Sequence, residues 1–401
     1  MTKIRTDEAG ADRGKKKKIV LIPNKSDKPD NIIIKENEII EKCEEIEKEL
    51  PAFLRGYYSY LKGNVLPMTR LAYLRDVKFF FSYFVAESGL TGAKTPREVP
   101  LSDFSALKAV DINIFIDYCR RYKVEGENAV YIYENDRKSL ARKRSSLSVL
   151  FKFLYRDDLM PSNITDGFDP IKLPRAGEKE IKALQDDEVM RMLDAVTTGG
   201  ELTKKEYEFW KKTRRRDKAI LVVFLTYGLR ISELQQLNLT SFNFSRGEFK
   251  IYRKRGKESI MPLNNSVLKV IVEYIDEERP SKESTAPEDK DALFLSLQGG
   301  RMTERQIRQL VKKYTSIALK TSRDAGYSPH KLRATAATSL IGRGNSIFDV
   351  AALLDHENVT TTQLYAAHKK DVKRDLVKDM EWETEFEEVK SKTVTSADED
   401  E

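Results

Sequence analysis

The feature that most constrains the fold is a proline-rich break between two long regions of helical periodicity. Pro161, Pro170, Pro174 and Gly177 fall in a stretch where apolar residues have little regular spacing. On either side, apolar residues recur every three or four positions, which is the period of an amphipathic α-helix. The sequence therefore predicts two mainly helical domains with a connection over residues 161–184.

The 401 residues are enough for two to three domains of about 150 residues each. We interpret residues 1–44 as a flexible basic arm with a lead-in helix and residues 45–160 as a helical bundle. After the connection, residues 185–380 are expected to form a mixed α+β domain, and residues 381–401 are an acidic tail. In the arm, two β-rich stretches at residues 19–22 and 32–34 are expected to pair as a hairpin.

The bundle is predicted to end in a long helix from about Asn135 to Tyr155, with one apolar and one strongly basic face. The basic face carries Arg137, Lys138, Arg142, Lys143 and Arg144. In the second domain, a helix over residues 204–225 contains another basic run that includes Arg214, Arg215 and Arg216. Such runs are usually solvated surfaces, but both are also candidates for contacts with a DNA backbone. Two strands, Glu248 to Tyr252 and Ser259 to Leu263, follow this helix and flank a charged turn.

The charge is divided unevenly along the chain. Its net charge is +7, but residues 381–401 hold nine carboxylates and two lysines, so residues 1–380 carry +14. A basic body favours a polyanionic partner such as nucleic acid, although charge alone fits a basic protein with no such partner equally well. The two cysteines give neither a disulfide framework nor metal-ligand spacing. The longest apolar run has seven residues, against the roughly 20 that span a bilayer.

Three short motifs carry the chemistry. The first is Gly-Leu-Arg-Ile-Ser-Glu-Leu, in which a glycine ends an apolar helix just before an arginine. The second is His-Lys-Leu-Arg at the start of a helix, so that its first and last residues share a face. The third is Leu-Asp-His, followed nine positions later by a tyrosine. Their polar residues are Arg230, Glu233, His330, Arg333, His356 and Tyr365.

These motifs, in this order and spacing, resemble the tyrosine recombinase (phage integrase) family, which includes Cre, the Xer recombinases and the integrases of conjugative transposons. Matched residue by residue, Arg230, His330, Arg333, His356 and Tyr365 take the family's catalytic positions, and Glu233 takes a supporting acidic position. The resemblance covers about residues 45–380. It implies a mainly α protein whose helical core-binding bundle and mixed α+β catalytic domain, with a small β-sheet, form a C-shaped clamp around DNA.

Two positions need comment. The family's hairpin lysine usually lies eight residues before a proline, and this spacing from Pro262 favours Lys254 over Lys257, which stays a supporting candidate. The family commonly has glycine where this chain has Asp355. Aspartate tolerates unusual backbone angles better than most residues, but its negative charge near a phosphate has no explanation in the sequence.

The resemblance implies that Tyr365 attacks a DNA phosphorus atom and forms a 3′-phosphotyrosine. Two arginines would hold the non-bridging oxygens, His356 would hydrogen-bond one of them, and Lys254 would protonate the leaving 5′-oxygen. His330 is a candidate base for the tyrosine. No cofactor and no metal are implied, and the sequence holds no dense cluster of metal-ligating residues.

The expected partners are double-stranded recombination sites and other copies of the chain, assembled as a tetrameric synapse in the cytoplasm on the nucleoid. An accessory directionality factor is compatible with this interpretation, and no membrane is expected. Trp382, Phe386 and Val389 form an apolar stripe that is expected to dock residues 381–390 in trans, although a disordered tail fits nearly as well. The basic arm and the acidic tail favour integration and excision of a mobile element; Xer-like dimer resolution and type IB topoisomerase activity remain alternatives.

Overall fold

In the computed structural model, the described residues are 28–173, 182–253, 256–281, 284–356 and 362. The chain divides between Pro174 and Arg175 into two compact units, and this boundary lies inside the segment 161–184 that the sequence assigns to the connection. Among the described helices, none is long and apolar enough to cross a membrane.

The first unit contains six α-helices and one β-hairpin in its described part. The helices are α1 (Asp30–Lys48), α2 (Arg55–Asn64), α3 (Pro67–Ala86), α4 (Leu101–Ser105), α5 (Ala109–Arg120) and α6 (Arg137–Arg156). Between α5 and α6, strands β1 (Arg121–Glu125) and β2 (Val130–Glu134) pair antiparallel, with Tyr122 opposite Tyr133. The predicted bundle is therefore present, with a hairpin that the prediction omitted.

The centre of the first unit is a cluster of phenylalanine rings supplied mainly by α3. Phe80 and Phe81 are buried on this helix, and their rings lie 4.9 Å from those of Phe115 and Phe104, respectively. The Phe104 ring also stacks on that of Phe151 from α6, with 5.3 Å between the centroids. Because aromatic side chains bury a large apolar area each, this cluster holds α3 to α4, α5 and α6.

The prediction of a β-hairpin in the arm is wrong for residues 32–34, which lie in α1. Pro29 precedes the first turn of this helix, and Ile32 is buried. The apolar positions Cys43 and Leu50 further along continue into the core of the first unit. The β propensity of three consecutive isoleucines is thus overridden by tertiary packing of an amphipathic helix. Residues 19–22 lie outside the described residues.

The second unit has eight helices and a three-stranded sheet in its described part. The helices are α7 (Asp186–Thr198), α8 (Lys204–Trp210), α9 (Arg214–Tyr227), α10 (Ile231–Gln235), α11 (Asn265–Glu277), α12 (Glu304–Ala318), α13 (Pro329–Gly342) and α14 (Ile347–Leu354). Strands β3 (Phe242–Asn243), β4 (Glu248–Tyr252) and β5 (Glu258–Pro262) form an antiparallel sheet in the order β3-β4-β5. The central element is α9, which is buried over most of its length and packs against α7, α11 and α13.

One helix of the second unit was predicted too long. Residues 204–225 form two helices, α8 and α9, with a break at Thr213. The Thr213 hydroxyl donates to the Phe209 carbonyl at 3.1 Å, and the Trp210 indole donates to the Val196 carbonyl at 2.8 Å. These contacts end α8 and anchor it on α7, which periodicity alone does not reveal.

A buried carboxylate joins α3 to the basic helix α6. Asp76 is 3% exposed and accepts a hydrogen bond from the Ser146 hydroxyl at 2.8 Å. It also pairs with Arg142 and, at 3.4 Å, with the buried ammonium of Lys143. Because a buried charge without a partner is costly, each member of this group stabilises the others.

We therefore expect Asp76→Asn to lower the free energy of unfolding by about 3 kcal/mol, since it leaves the Lys143 ammonium buried without a counter-charge. Urea unfolding of the full chain measures this loss. The control is Asp117→Asn, which removes only an exposed pair with Arg120 and should cost less than about 1 kcal/mol. Equal losses in the two variants would show that the Asp76 group has no special role.

Candidate active site

Arg230 is fixed at the junction of α9 and α10. Gly228 ends α9 in a left-handed conformation, with φ +57°, and Arg230 is the N-cap of α10. The carboxylate of Glu233, 2% exposed, accepts from the Arg230 backbone N–H at 2.8 Å and from its guanidinium Nη1 at 2.7 Å. Glu233 thus holds both the backbone and the guanidinium of Arg230, while its supporting role in catalysis remains a prediction.

Arg333 lies on α13, in the first turn after His330, and is 3% exposed. Its Nη1 donates to the carbonyl of Gly228 at 2.7 Å, and its Nη2 donates to the carbonyl of Leu354. The side chain therefore joins the ends of two helices, α9 and α14. A buried guanidinium needs such acceptors, because burial without hydrogen bonds disfavours the charge.

The end of α14 is the point where the site converges. Three consecutive carbonyls there accept hydrogen bonds from three arginines on different elements, and we call residues 353–355 the α14 terminus. Leu353 accepts from Arg253 at 2.8 Å, Leu354 from Arg333, and Asp355 from Arg230 at 3.0 Å. The last carbonyls of a helix have no intrahelical donor and carry the negative end of its dipole, so they suit cationic donors.

The close approach of α9 to α14 requires a glycine at position 228. A Cβ atom there would lie 2.6 Å from Cδ2 of Leu354, which is shorter than any normal contact. The positive φ adds a second reason, since residues with a side chain rarely adopt it. The glycine before the arginine thus has two functions, as a helix cap and as a packing surface for the α14 terminus.

Asp355 has the left-handed conformation that the sequence analysis considered tolerable for aspartate, with φ +52° and ψ +54°. Its Oδ2 lies 3.8 Å from Nη1 of Arg230, and its Oδ1 lies 3.5 Å from Nζ of Lys257. The carboxylate therefore faces two cations of the cluster. This accounts for the negative charge: it offsets part of the positive potential of the site.

His356 follows the α14 terminus, and its Nδ1 lies 2.8 Å from the hydroxyl oxygen of Thr362, a fully buried residue. Burial lowers the pKa of His356 to about 4; repulsion by Arg333, Arg230 and His330 adds to this, and Asp355 opposes it. The imidazole is therefore neutral at physiological pH. In that state one ring nitrogen is a donor and the other an acceptor.

The remaining predicted catalytic residues are placed as follows. His330 is exposed on the first turn of α13, close enough to His356 to affect its pKa. Lys257 begins the return from the β4–β5 turn, and its carbonyl accepts from the Arg253 N–H at 2.8 Å. Lys254 and Tyr365 lie outside the described residues, so the choice between Lys254 and Lys257 remains a prediction.

The residues predicted to contact DNA divide into two groups. The exposed ones are Arg137, Lys138, Arg142 and Arg214, of which Arg142 also pairs with Asp76 and Arg214 lies over the Trp210 ring. The others are less exposed and have partners within their own unit: Lys143 pairs with Asp76, Arg144 donates to the Phe168 carbonyl, Arg215 pairs with Glu277, and Arg216 pairs with Asp217. Lys143 and Arg216 are the most enclosed, and their contacts give them a structural role. For all of them, contact with DNA remains a prediction.

Two residues at the site escaped the sequence analysis. Arg253 was taken as part of a charged turn, and its burial depends on the approach of α14, which no local pattern reports. Thr362 lies in a run of three threonines, and only the fold shows which of them meets His356.

Two fixed arginines and a neutral histidine around one helix end form a site suited to an oxyanion, as in phosphoryl transfer. The comparisons agree with this class. A model of the phage integrase family matches residues 182–371. Tyrosine recombinase XerC of Natranaerobius thermophilus is 34% identical over 232 residues, which are 57% of this chain and 72% of that protein. The chain therefore belongs to the tyrosine recombinase (phage integrase) family, as the sequence motifs indicated.

Solved structures show the same fold. XerH site-specific recombinase bound to difH substrate, in a pre-cleavage complex, matches with a TM-score of 0.54 and 18% identity, covering 87% of this chain and 90% of that one. The Tn1549 transposon integrase in complex with circular intermediate DNA matches with a TM-score of 0.53 and 20% identity, covering 84% and 98%. The predicted fold class, mainly helical with a small sheet in the catalytic domain, is confirmed.

The lowered pKa of His356 predicts a pH effect on stability. The unfolded chain takes up the proton near pH 6.5 and the folded chain only near pH 4, so stability falls as the pH drops from about 6.5 to about 4. Histidine NMR should show a midpoint near pH 4 for His356, assigned with His356→Gln. That variant should also have a smaller loss of stability over this range. A His356 midpoint near 6.5 would contradict the buried, cation-flanked environment.

The position of Asp355 predicts an effect on DNA affinity. Asp355→Asn and Asp355→Gly should each bind recombination-site DNA about two- to fivefold more tightly, because a carboxylate facing Arg230 and Lys257 is removed. Fluorescence anisotropy between about 50 and 200 mM salt measures this gain, which should shrink as screening increases. The control is Asp349→Asn, the same charge change at the opposite end of α14. An equal gain in DNA affinity for Asp349→Asn would show that the effect comes from the net charge of the chain and not from the position of Asp355.

Proposed function

We propose that this chain is a site-specific DNA recombinase that integrates and excises a mobile element through a 3′-phosphotyrosine intermediate. The observation that carries the proposal is the convergence of Arg230, Arg333 and His356 on the α14 terminus. Membership of the tyrosine recombinase family supports the reaction type.

The arginines would bind the non-bridging oxygens of the scissile phosphate. Both guanidinium groups are held by acceptors within the unit, Arg230 by Glu233 and Arg333 by the carbonyls of Gly228 and Leu354. Donors that are fixed before the substrate arrives stabilise a developing charge without reorganising during the reaction. The pentacovalent transition state places more negative charge on these oxygens than the ground state does, so the stabilisation is greater there.

His356 would donate a hydrogen bond to the same phosphate. If the Thr362 hydroxyl donates to Nδ1, the proton of the neutral ring lies on Nε2, from which it can be donated to an oxygen. The lowered pKa keeps the imidazole in this neutral form. The histidine then contributes a directed hydrogen bond without adding a third full charge beside the two arginines.

The covalent step is assigned to Tyr365, Lys254 and His330 on the strength of the family motif, and the first two of these lie outside the described residues. The Tyr365 oxygen attacks phosphorus and gives up its proton, for which His330 is the candidate base. The bond between phosphorus and the 5′-oxygen breaks, and the leaving oxygen takes a proton from Lys254. In the reverse direction, the 5′-hydroxyl of a second DNA end attacks the phosphotyrosine and releases the tyrosine. The phosphodiester energy is retained, so no nucleotide cofactor is needed.

The basic residues 1–30 and the acidic residues 381–401 support the mobile-element role. The fold shared with a transposon integrase is compatible with it. Xer-like resolution of chromosome or plasmid dimers is the second candidate, because the relative that is 34% identical is a XerC protein. The two roles are distinguished by testing whether the purified protein recombines two DNA substrates. One carries the joined ends of the mobile element that contains its gene, and the other carries the host's dimer-resolution site. The substrate that recombines identifies the role.

Assembly belongs to the same proposal. A tetrameric synapse on DNA, an accessory directionality factor and a location on the nucleoid in the cytoplasm are expected for such an enzyme. Residues 381–390, proposed to dock on a neighbouring copy, lie outside the described residues. Deleting residues 381–401 should weaken synapsis while a single copy still binds DNA; unchanged synapsis and recombination would refute the docking.

The nucleophile is tested with a nicked recombination site, from which the short 5′-hydroxyl fragment is lost after cleavage. The full chain should accumulate a covalent protein–DNA species on a denaturing gel. Tyr365→Phe should form none and still shift the DNA in a native gel, because only the attacking oxygen is removed. The matched control is Tyr207→Phe, an exposed tyrosine of α8, which should keep the covalent species. Trapping by Tyr365→Phe would disprove its role as the nucleophile.

A further inference from the structure

The arginine at the end of β4 is buried although it lies directly before the turn between β4 and β5. Arg253 is 6% exposed, whereas Lys257 on the other side of the turn is exposed. Its Nη2 donates to the carbonyl of Leu353 at 2.8 Å and lies 3.6 Å from Sδ of Met261 on β5. The side chain thus points away from the turn and towards the α14 terminus.

The surroundings of this guanidinium explain why a charge is tolerated there. Burial lowers the pKa of Arg253 and repulsion by Arg230 contributes, while attraction by Glu233 and Asp355 opposes both. The carbonyl that accepts its hydrogen bond is at the negative end of a helix. Arginine retains its charge under such conditions and has donors in a fixed geometry, which a flexible lysine lacks.

The backbone of Arg253 also organises the turn. Its N–H donates to the carbonyl of Lys257 at 2.8 Å, and its own carbonyl accepts from the N–H of Gly256 at 3.1 Å. A second link to the α14 terminus comes from Lys257, whose Nζ lies 3.5 Å from Oδ1 of Asp355. Because Lys257 is exposed, this second link is the weaker one.

The α14 terminus, whose Leu354 and Asp355 carbonyls hold Arg333 and Arg230, therefore also holds the base of the β4–β5 hairpin through its Leu353 carbonyl. We propose that Arg253 is a positioning residue, which fixes this hairpin relative to the two phosphate-binding arginines. In the chain, Arg253 directly precedes Lys254, the general acid of the proposed function, and the inference rests on that function. The anchor sets the distance between the proton donor and the scissile phosphate.

A substrate with a better leaving group distinguishes this role from a merely structural one. When sulfur replaces the bridging 5′-oxygen, the phosphorus–sulfur bond breaks and a thiolate leaves. A thiol has a pKa of about 8.5, so the thiolate needs no proton from the enzyme. A defect in general-acid catalysis is thus repaired by this substrate, whereas a defect in folding, DNA binding or phosphate binding is not.

The experiment compares single-turnover cleavage of the ordinary and the sulfur-containing site by the full chain. Arg253→Gln should cleave the ordinary site at least about tenfold more slowly, within the contribution of general-acid catalysis. On the sulfur-containing site, its rate should be within about threefold of that of the unmodified chain. The loss of rate on this substrate should thus be much smaller than the loss on the ordinary site. Arg253→Lys keeps the charge and should show a smaller loss of the same kind, and it decides the question if Arg253→Gln does not fold.

The matched control is Arg301→Gln. Arg301 is also an enclosed arginine of the second unit that donates to backbone carbonyls, those of Gln235 and Leu237. Its other side-chain partners are Asn238 and Asp289, which lie outside the hairpin. This variant should lose the same factor on both substrates. If the Arg253 variants are slowed equally on both substrates, as Arg301→Gln is, Arg253 has only a structural role and the proposal is overturned.

Lys254→Ala separates this inference from the proposed function. Rescue of Lys254→Ala by sulfur supports the general acid, and rescue of the Arg253 variants then supports the anchor. If sulfur fails to rescue Lys254→Ala, the assignment of the general acid in the proposed function is wrong. If it rescues Lys254→Ala but neither Arg253 variant, the general acid stands and the anchor is refuted.

Discussion

The hydrogen bonds between three guanidinium groups and the three carbonyls of the α14 terminus are the contacts on which the site depends. Arg253, Arg333 and Arg230 come from a strand end, a helix and a helix N-cap that are far apart in the sequence. Each carbonyl lacks an intrahelical donor, so a helix end supplies three acceptors in a fixed geometry. This arrangement brings the cations together around one point although they repel each other.

The repulsion between the cationic side chains of this cluster is offset by two carboxylates, one buried and one more exposed. Glu233 is buried and holds Arg230 by its backbone and its guanidinium. Asp355 is more exposed and faces Arg230 and Lys257 at longer distances. The first carboxylate forms short, buried hydrogen bonds, whereas the interactions of the second are longer and more exposed to solvent, and therefore weaker. Burial, together with repulsion by Arg333 and Arg230, lowers the pKa of His356 and keeps its ring neutral.

The sequence predicted most of the secondary-structure elements and the class of reaction. Particular residues show which features it did not predict. The helix predicted from about Asn135 to Tyr155 is α6, Arg137–Arg156, and the first predicted strand of the second domain has the bounds of β4. Residues 32–34 have high β propensity but form part of α1, a helix that packs against α3, so tertiary packing outweighs local preference. The basic face of α6 was readable from spacing, but the pairing of Lys143 with Asp76 was not, since the two residues lie 67 positions apart.

The sequence by itself determined the family and the mainly helical fold class, because the order and spacing of motifs and of apolar residues are properties of the chain. Only the tertiary structure decided what surrounds each charge. It placed Arg253 in the interior, gave Asp355 two cations to face and set Thr362 against His356. These outcomes depend on distances between elements that are remote in sequence, and burial and electrostatic interaction vary with those distances and not with local pattern.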